Sequence, residues 1–274
     1  MRRILPISFR HKPFGVSLVE VVVVITIVGV VLPIFLTLLV NAYKDTFSTD
    51  DKIKANTEIT QALWYIDDTV RNSKDFLTAV PSAYSDPYGP HDAGTSGAEA
   101  WSYKGDSATS RVLIIENYST TTNSLNTGRQ PVFINTGEFN CTTEMYYQPQ
   151  LTYISIFFVK DSTLYRRILT DTNTSLCSGN TQAQKQTCQP SIPVVSRHAS
   201  CLANDEVLAN NVSNFAVEYY QISVDGTSSA IDPTYASTDP EILEAADYAN
   251  VTITASAREN GVQTTLTQRM TKVN

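Results

Sequence analysis

The chain has 274 residues, of which 42% are hydrophobic and only 17% charged, against a usual charged share of ~25%. Thr, Ser, Asn and Gln make up the polar share, which excludes a disordered polyelectrolyte and a coiled coil. The formal net charge of −7 leaves no basic surface to track phosphates, so no nucleic-acid partner is expected.

Residues Val21 to Tyr43 form a run of 23 positions without a charge, dominated by Val, Ile and Leu. A bilayer core of ~30 Å needs about 20 apolar helical residues, so this run is long enough to span one. Arg2, Arg3, Arg10 and Lys12 precede it, with no acid among the first fifteen residues. Positive charge on that flank holds it in the cytoplasm and sends the remainder outward. Removing those four from the 20 basic residues leaves 16 against 27 acidic ones, so the exported part is clearly acidic. A secretory signal cut after Val40-Asn41-Ala42 is one reading, although signal cores run only ~7–15 residues. A simple signal anchor is another. Neither accounts for Glu20, because a carboxylate at the edge of an apolar helix is expensive in lipid and points to function.

The string Phe14-Gly15-Val16-Ser17-Leu18-Val19-Glu20 resembles the cleavage site of type IV prepilins and type II secretion pseudopilins. The resemblance implies a cut by prepilin peptidase after Gly15, N-methylation of Val16 as the first mature residue, and Glu20 as the fifth. It also implies other pilins as partners in a filament, where the Glu meets the α-amino group of a neighbouring subunit. Val16 departs from the pattern, since Phe or Met is commoner there. In physical terms, a buried amine and a buried carboxylate are each costly alone and compensate one another as a pair. Snorkelling of Glu20 to the headgroups is the alternative. Gly29 and Pro33 lie inside the same helix, where proline removes a backbone hydrogen bond and glycine weakens the helix. In pilins a similar segment loosens the helix within the fibre; a tolerated kink is the bland reading.

Beyond Lys44 the chain turns polar but keeps helical spacing. Ile53, Ile59, Leu63, Ile66 and Val70 form an apolar stripe near period 3.6, and one helix is expected from about Val16 to Lys74. At 1.5 Å per residue it would reach roughly 90 Å. Its outer half must pack on a sheet, with Trp64 and Tyr65 as sheet contacts. The expected domains are a leader at 1–15, an assembly half of the helix at 16–44, an amphipathic half at 45–74 and an exported β-rich domain at 75–274. The fold class is therefore α+β, with the long N-terminal helix packed on an antiparallel sheet, the lollipop of pilins.

Pro81 to Ser110 reads as a long surface loop able to carry recognition. Strands are expected at Arg111–Tyr118, Gln130–Asn135, Glu144–Gln148, Leu151–Lys160, Thr163–Thr170, Phe215–Val224, Asn250–Arg258 and Val262–Lys272. Hairpin turns are expected at Asp161-Ser162 and Asn260-Gly261. Tyr165-Arg166-Arg167, the stretch Val207 to Phe215 and Tyr219-Tyr220 loosely resemble PilW-type minor pilins and J-type minor pseudopilins.

Cys141, Cys177, Cys188 and Cys201 all fall in the exported part, and an even count there suggests two disulfides. Their spacings fit no zinc finger. Extending the register of the 151–170 hairpin puts Cys141 near Cys177, leaving Cys188 for Cys201. No nucleophile elbow, metalloprotease helix or phosphate loop is present, so no enzyme activity, cofactor or metal is expected. Asp67-Asp68 reads as a solvated face. Asp86, Asp92 and Asp106 read as solvated loop acids, with calcium as the competing reading. The sequence thus reads as a minor pilin-like filament subunit, first in the cytoplasmic membrane and then in a surface or periplasmic filament. A type II secretion pseudopilin and a pilus-tip adhesin using the 81–110 loop stay open.

Overall fold

A helix lets a long apolar run satisfy its backbone hydrogen bonds within the segment itself. In the computed structural model, residues 15, 17–89, 101–103, 111–122, 128–171, 174–177, 181–189, 197–231, 241–256 and 263–273 are described. They contain one long helix, α1 (Leu18–Arg71), followed by short strands. The chain divides into two compact units, residues 1–50 and 51–274.

In the first unit every residue from 17 to 47 is exposed. Two hydroxyls in this stretch are satisfied within the helix: Thr26 Oγ1 donates to the Val22 carbonyl and Thr37 Oγ1 to the Pro33 carbonyl, both at 2.8 Å. Such back-bonds hide a polar group where water is scarce. The helix continues through Pro33. The bond lost at Pro33 is the one its N–H would have made to the Gly29 carbonyl.

In the second unit the last turns of α1 bury Ile59, Ala62, Leu63, Ile66 and Val70, the stripe expected from the spacing. Ile53 does not join it and is 60% exposed. The helix stops at Arg71, three residues before the expected end. Asn72 Nδ2 donates to the Asp68 carbonyl and Ser73 Oγ to the Val70 carbonyl, occupying acceptors that the last turn leaves open. The chain then enters β1 (Ser73–Leu77) directly.

Strand β1 begins a five-stranded antiparallel sheet with β2 (Leu113–Tyr118), β3 (Thr152–Lys160), β4 (Thr163–Thr170) and β7 (Glu206–Asn210), in the order β1-β2-β3-β4-β7. Hairpin β3–β4 turns at Asp161 and Ser162, both with positive φ (48° and 59°). That pair of left-handed residues is the turn whose twist matches the strands. A second sheet has the order β11-β10-β8-β9, from β8 (Val212–Ile222), β9 (Ser228–Ile231), β10 (Tyr248–Ser256) and β11 (Gln263–Thr271). The chain passes from the first sheet to the second at Asn211, in the left-handed region at φ 56°. Asparagine tolerates that conformation better than other side-chain-bearing residues. A short parallel pair, β5 (Thr187–Cys188) with β6 (Ala203–Asn204), and a single helical turn, α2 (Glu241–Glu244), complete the described elements. The fold class is α+β, a long helix packed on antiparallel sheet.

Successive strand residues face opposite ways, so the first sheet has two buried faces. Phe76, Leu113, Ile115, Phe157 and Leu164 pack with α1 and with Phe215, Tyr219 and Val251 of the second sheet. On the other face Ile114, Ile154, Ile156, Phe158 and Leu169 pack beneath Trp101 and Tyr84. The 81–110 segment, so far as it is described, is therefore partly core: Trp101 is 2% exposed.

Other expectations are corrected. Glu144–Gln148 is no strand but surrounds a 3-10 turn at Met145–Tyr147. The loop closes on itself: Gln148 Oε1 accepts from Thr136 N and Oγ1, and its Nε2 donates to the Phe139 carbonyl. Gln130–Asn135 makes only isolated bridges. Trp64 is 59% exposed rather than a sheet contact. The Asn260-Gly261 turn lies outside the described residues, although β10 and β11 pair from Tyr248↔Thr271 to Ser256↔Gln263.

Tyr219 carries a testable weakness of this core. It is fully buried, and its hydroxyl has no hydrogen-bond partner among the described residues. Burial, with a smaller contribution from Tyr103, pushes its pKa well above the ordinary value. Unfolded tyrosine ionises near pH 10. The folded protein keeps the proton longer, so this contribution is intact below pH 10 and is lost as pH rises beyond it. Tyr219→Phe is expected to raise stability at pH 7 by about 1 kcal/mol by removing an unsatisfied group. It should also flatten the alkaline decline by one proton, about 1.4 kcal/mol per pH unit. Urea titrations of both proteins at pH 7 and 10.5 test this; an unchanged alkaline slope refutes it.

Candidate functional site

The residues singled out in the sequence fall in two groups. Gly15 is exposed, and a Cβ there would meet nothing within 4 Å among the described residues; Ser17 precedes α1 and Glu20 lies in its first turn. Val16 and the leader before Gly15 lie outside the described residues. Glu20 N and Val21 N both donate to the Ser17 carbonyl, at 3.0 and 3.2 Å, which makes Ser17 the residue flanking the first turn. Ser17-Leu18-Val19-Glu20 therefore has the spacing of a capping box, a signal missed in the sequence. An acid in the first turn also suits the positive end of the helix dipole. Around Glu20 lies an uncharged surface of exposed Leu18, Val19, Val21 and Val22 that continues to Val40. Gly29 sits in open space within it, so a Cβ there would meet nothing. Pro33 lies one helical turn further on. Among the described residues, α1 is the one helix long and apolar enough to cross a membrane.

Cys141 is bonded to Cys177 and Cys188 to Cys201, so the second group of residues is paired within the second unit. The first bond ties the 135–148 loop to the segment after β4. The second closes the chain between β5 and β6.

Beside β5 lies a feature that sequence reading missed. Arg167 is completely buried. Its Nε and Nη2 grip both oxygens of Asp205, at 2.7–3.2 Å. Its Nη1 donates to Asp86 Oδ2 and to the Gly89 carbonyl, both at 2.9 Å. Thr187 Oγ1 donates to Asp205 Oδ1 at 2.7 Å and Trp101 Nε1 to Asp86 Oδ2 at 2.6 Å. The guanidinium also lies over the rings of Trp101 and Phe158. Burial alone would lower its pKa, but Asp205 and then Asp86 outweigh burial and raise it. Asp86 is thus no solvated loop acid but half of a buried clasp. Asp92 and Asp106 lie outside the described residues. Asp67 is likewise buried, 2.9 Å from Arg71, so the Asp67-Asp68 pair is not wholly a solvated face.

The Arg167 and Asp205 side chains are fully buried and Asp86 nearly so, and they are bonded to one another, so the clasp holds structure together. Among the described residues no group of three or more His, Cys, Asp or Glu is placed to hold a metal ion. The arrangement with chemical potential is the exposed apolar helix with one acid in its first turn. No protein-family model matches this chain, and no curated protein matches it.

Proposed function

We propose that the chain is a minor pilin-like structural subunit, cut by prepilin peptidase after Gly15, N-methylated at Val16 and built into a type IV pilus or related filament through α1. The observation that carries this reading is a helix exposed along its whole apolar half, whose one acid lies four residues beyond the expected new terminus. Such a surface is stable only in lipid or against other apolar helices. Removing the leader would free an α-amino group, charged near neutral pH at its reference pKa of ~7.7–8.0. Glu20 of one protomer would compensate that charge on a neighbour, fixing the axial step between subunits. Gly29 and Pro33 would let the helix adjust once it leaves the bilayer. The folded, disulfide-bonded unit would sit outside the cytoplasm, where such bonds persist.

Intact mass and terminal-peptide analysis of the chain from membranes tests the processing step. The expected result is loss of residues 1–15 and a methylated Val16. A terminus at Tyr43 would identify an ordinary secreted protein, and an intact Met1 an uncut anchor; either overturns the reading.

A further inference from the structure

The second unit contains a polar cleft that neither assembly nor anchoring requires. It lies between the last turns of α1 and the strands β3 and β4, with a volume of about 460 Å³, within the ~300–1,000 Å³ of small-molecule sites. We infer that this cleft binds an acidic oligosaccharide.

Three bases line it, Arg129, Arg166 and Lys185, against two acids, Asp68 and Glu206. This is a local positive excess on a chain whose formal net charge is −7. Arg166 is held in place: Nη1 donates to the Tyr65 hydroxyl, Nη2 to Ser155 Oγ at 3.2 Å, and Glu206 lies 3.7 Å away. Its guanidinium stacks over the Tyr65 ring, and its buried Nε has no acceptor among the described residues. Arg129 and Lys185, by contrast, form no ion pair among the described residues. Their charge is available to a ligand.

The rest of the lining fits sugar hydroxyls. Gln184 is clamped to Thr120, accepting from its backbone N at 3.0 Å and donating to its Oγ1 at 2.9 Å. Asn72 and Asn117 each keep one amide N–H beyond the one donated to a backbone carbonyl, Thr69 keeps its acceptor oxygen, and Tyr153 adds a ring to the wall. The aliphatic lining residues are just Ile168, Ala183 and Ala203. A peptide or acyl chain needs apolar subsites that this cleft lacks, whereas a saccharide presents hydroxyl edges to amides and C–H faces to rings. A carboxylate on the sugar would engage Arg129 and Lys185, the stronger, charge-assisted kind of hydrogen bond.

This inference does not depend on filament assembly, so it can fail or stand separately. The test uses the purified full-length chain in detergent, titrated by calorimetry with trigalacturonate and 3′-sialyllactose, with maltotriose as the neutral control and hexaglutamate as an acidic peptide. At least one acidic sugar is expected to bind at least tenfold more tightly than maltotriose. Arg129→Glu with Lys185→Glu should weaken that binding at least tenfold while leaving the urea midpoint unchanged. Binding of neither acidic sugar, unaltered binding by the double variant, or equal binding of hexaglutamate would each overturn it. An independent check is Thr120→Val, which removes the acceptor of the Gln184 amide N–H, one of the two bonds that orient Gln184, without changing charge, and should weaken the acidic sugar severalfold. No effect there would count against the amide wall as a ligand contact.

Discussion

Glu20→Ala and Glu20→Gln are both expected to be cut after Gly15 and yet to fall at least tenfold in filaments, whether scored by immunoblot of sheared fibres or by co-sedimentation. The pair of substitutions separates two physical roles that coincide at this position. As an N3 residue after Ser17, Glu20 can serve the capping box, and glutamine serves it equally well. As the partner of a charged terminus it must be ionised, which glutamine cannot be. Removing one member of a buried ion pair leaves the other uncompensated, at a cost of about 3–5 kcal/mol, or roughly two to nearly four decades in an association constant. If Glu20→Gln assembles like the wild type while Glu20→Ala does not, the residue is a helix cap and the pairing proposal fails. If both assemble, the acid has neither role.

Arg167→Met is expected to lower the stability of the 51–274 unit by at least 3 kcal/mol, measured as the urea midpoint with fluorescence of the buried Trp101. The side-chain volume is similar, so the loss comes from leaving Asp205 and Asp86 buried without their cation. Arg167→Lys should recover little. One ammonium cannot reproduce a fork that reaches both oxygens of Asp205, Asp86 and the Gly89 carbonyl together. Adding Asp205→Leu to Arg167→Met should restore part of the stability, a coupling that a double-mutant cycle measures directly. A single-variant loss below 1 kcal/mol would show that the clasp is a bystander of packing.

How much could be read in the sequence follows the range of the interactions involved. The long helix was legible because an uncharged 23-residue run has a single physical solution. Hairpin β3–β4 was legible because two adjacent turn residues flank apolar strands. Strand β7 was missed: Glu206–Asn210 is short, mostly exposed and paired only along one edge, so it carries no alternation. Glu144–Gln148 has the local pattern of a strand, but Gln148 bonds back into its own loop. Asp86 looked solvated because its neighbours are Ser, Pro and Tyr, while the partner that buries it, Arg167, is 81 positions away. Two arginines side by side in an apolar strand were the one local hint of that clasp. The cleft gave no such hint, since its walls come from α1, β2, β3, β4, Arg129, the 183–187 segment, β6 and β7, and no short window contains it.

Strand β3 buries every side chain from Tyr153 to Phe158, on both sides of its sheet. A strand wet on one side is kept from sliding by the cost of turning its oily positions outward. β3 lacks that safeguard, since a shift by one place would exchange one greasy surface for another. The guanidinium on its neighbour β4, opposite Ile156, can meet both carboxylates in a single alignment only. Arg167 thus works as an index pin for the sheet, and variants that neutralise the clasp should populate slipped pairings rather than simply melt at a lower temperature.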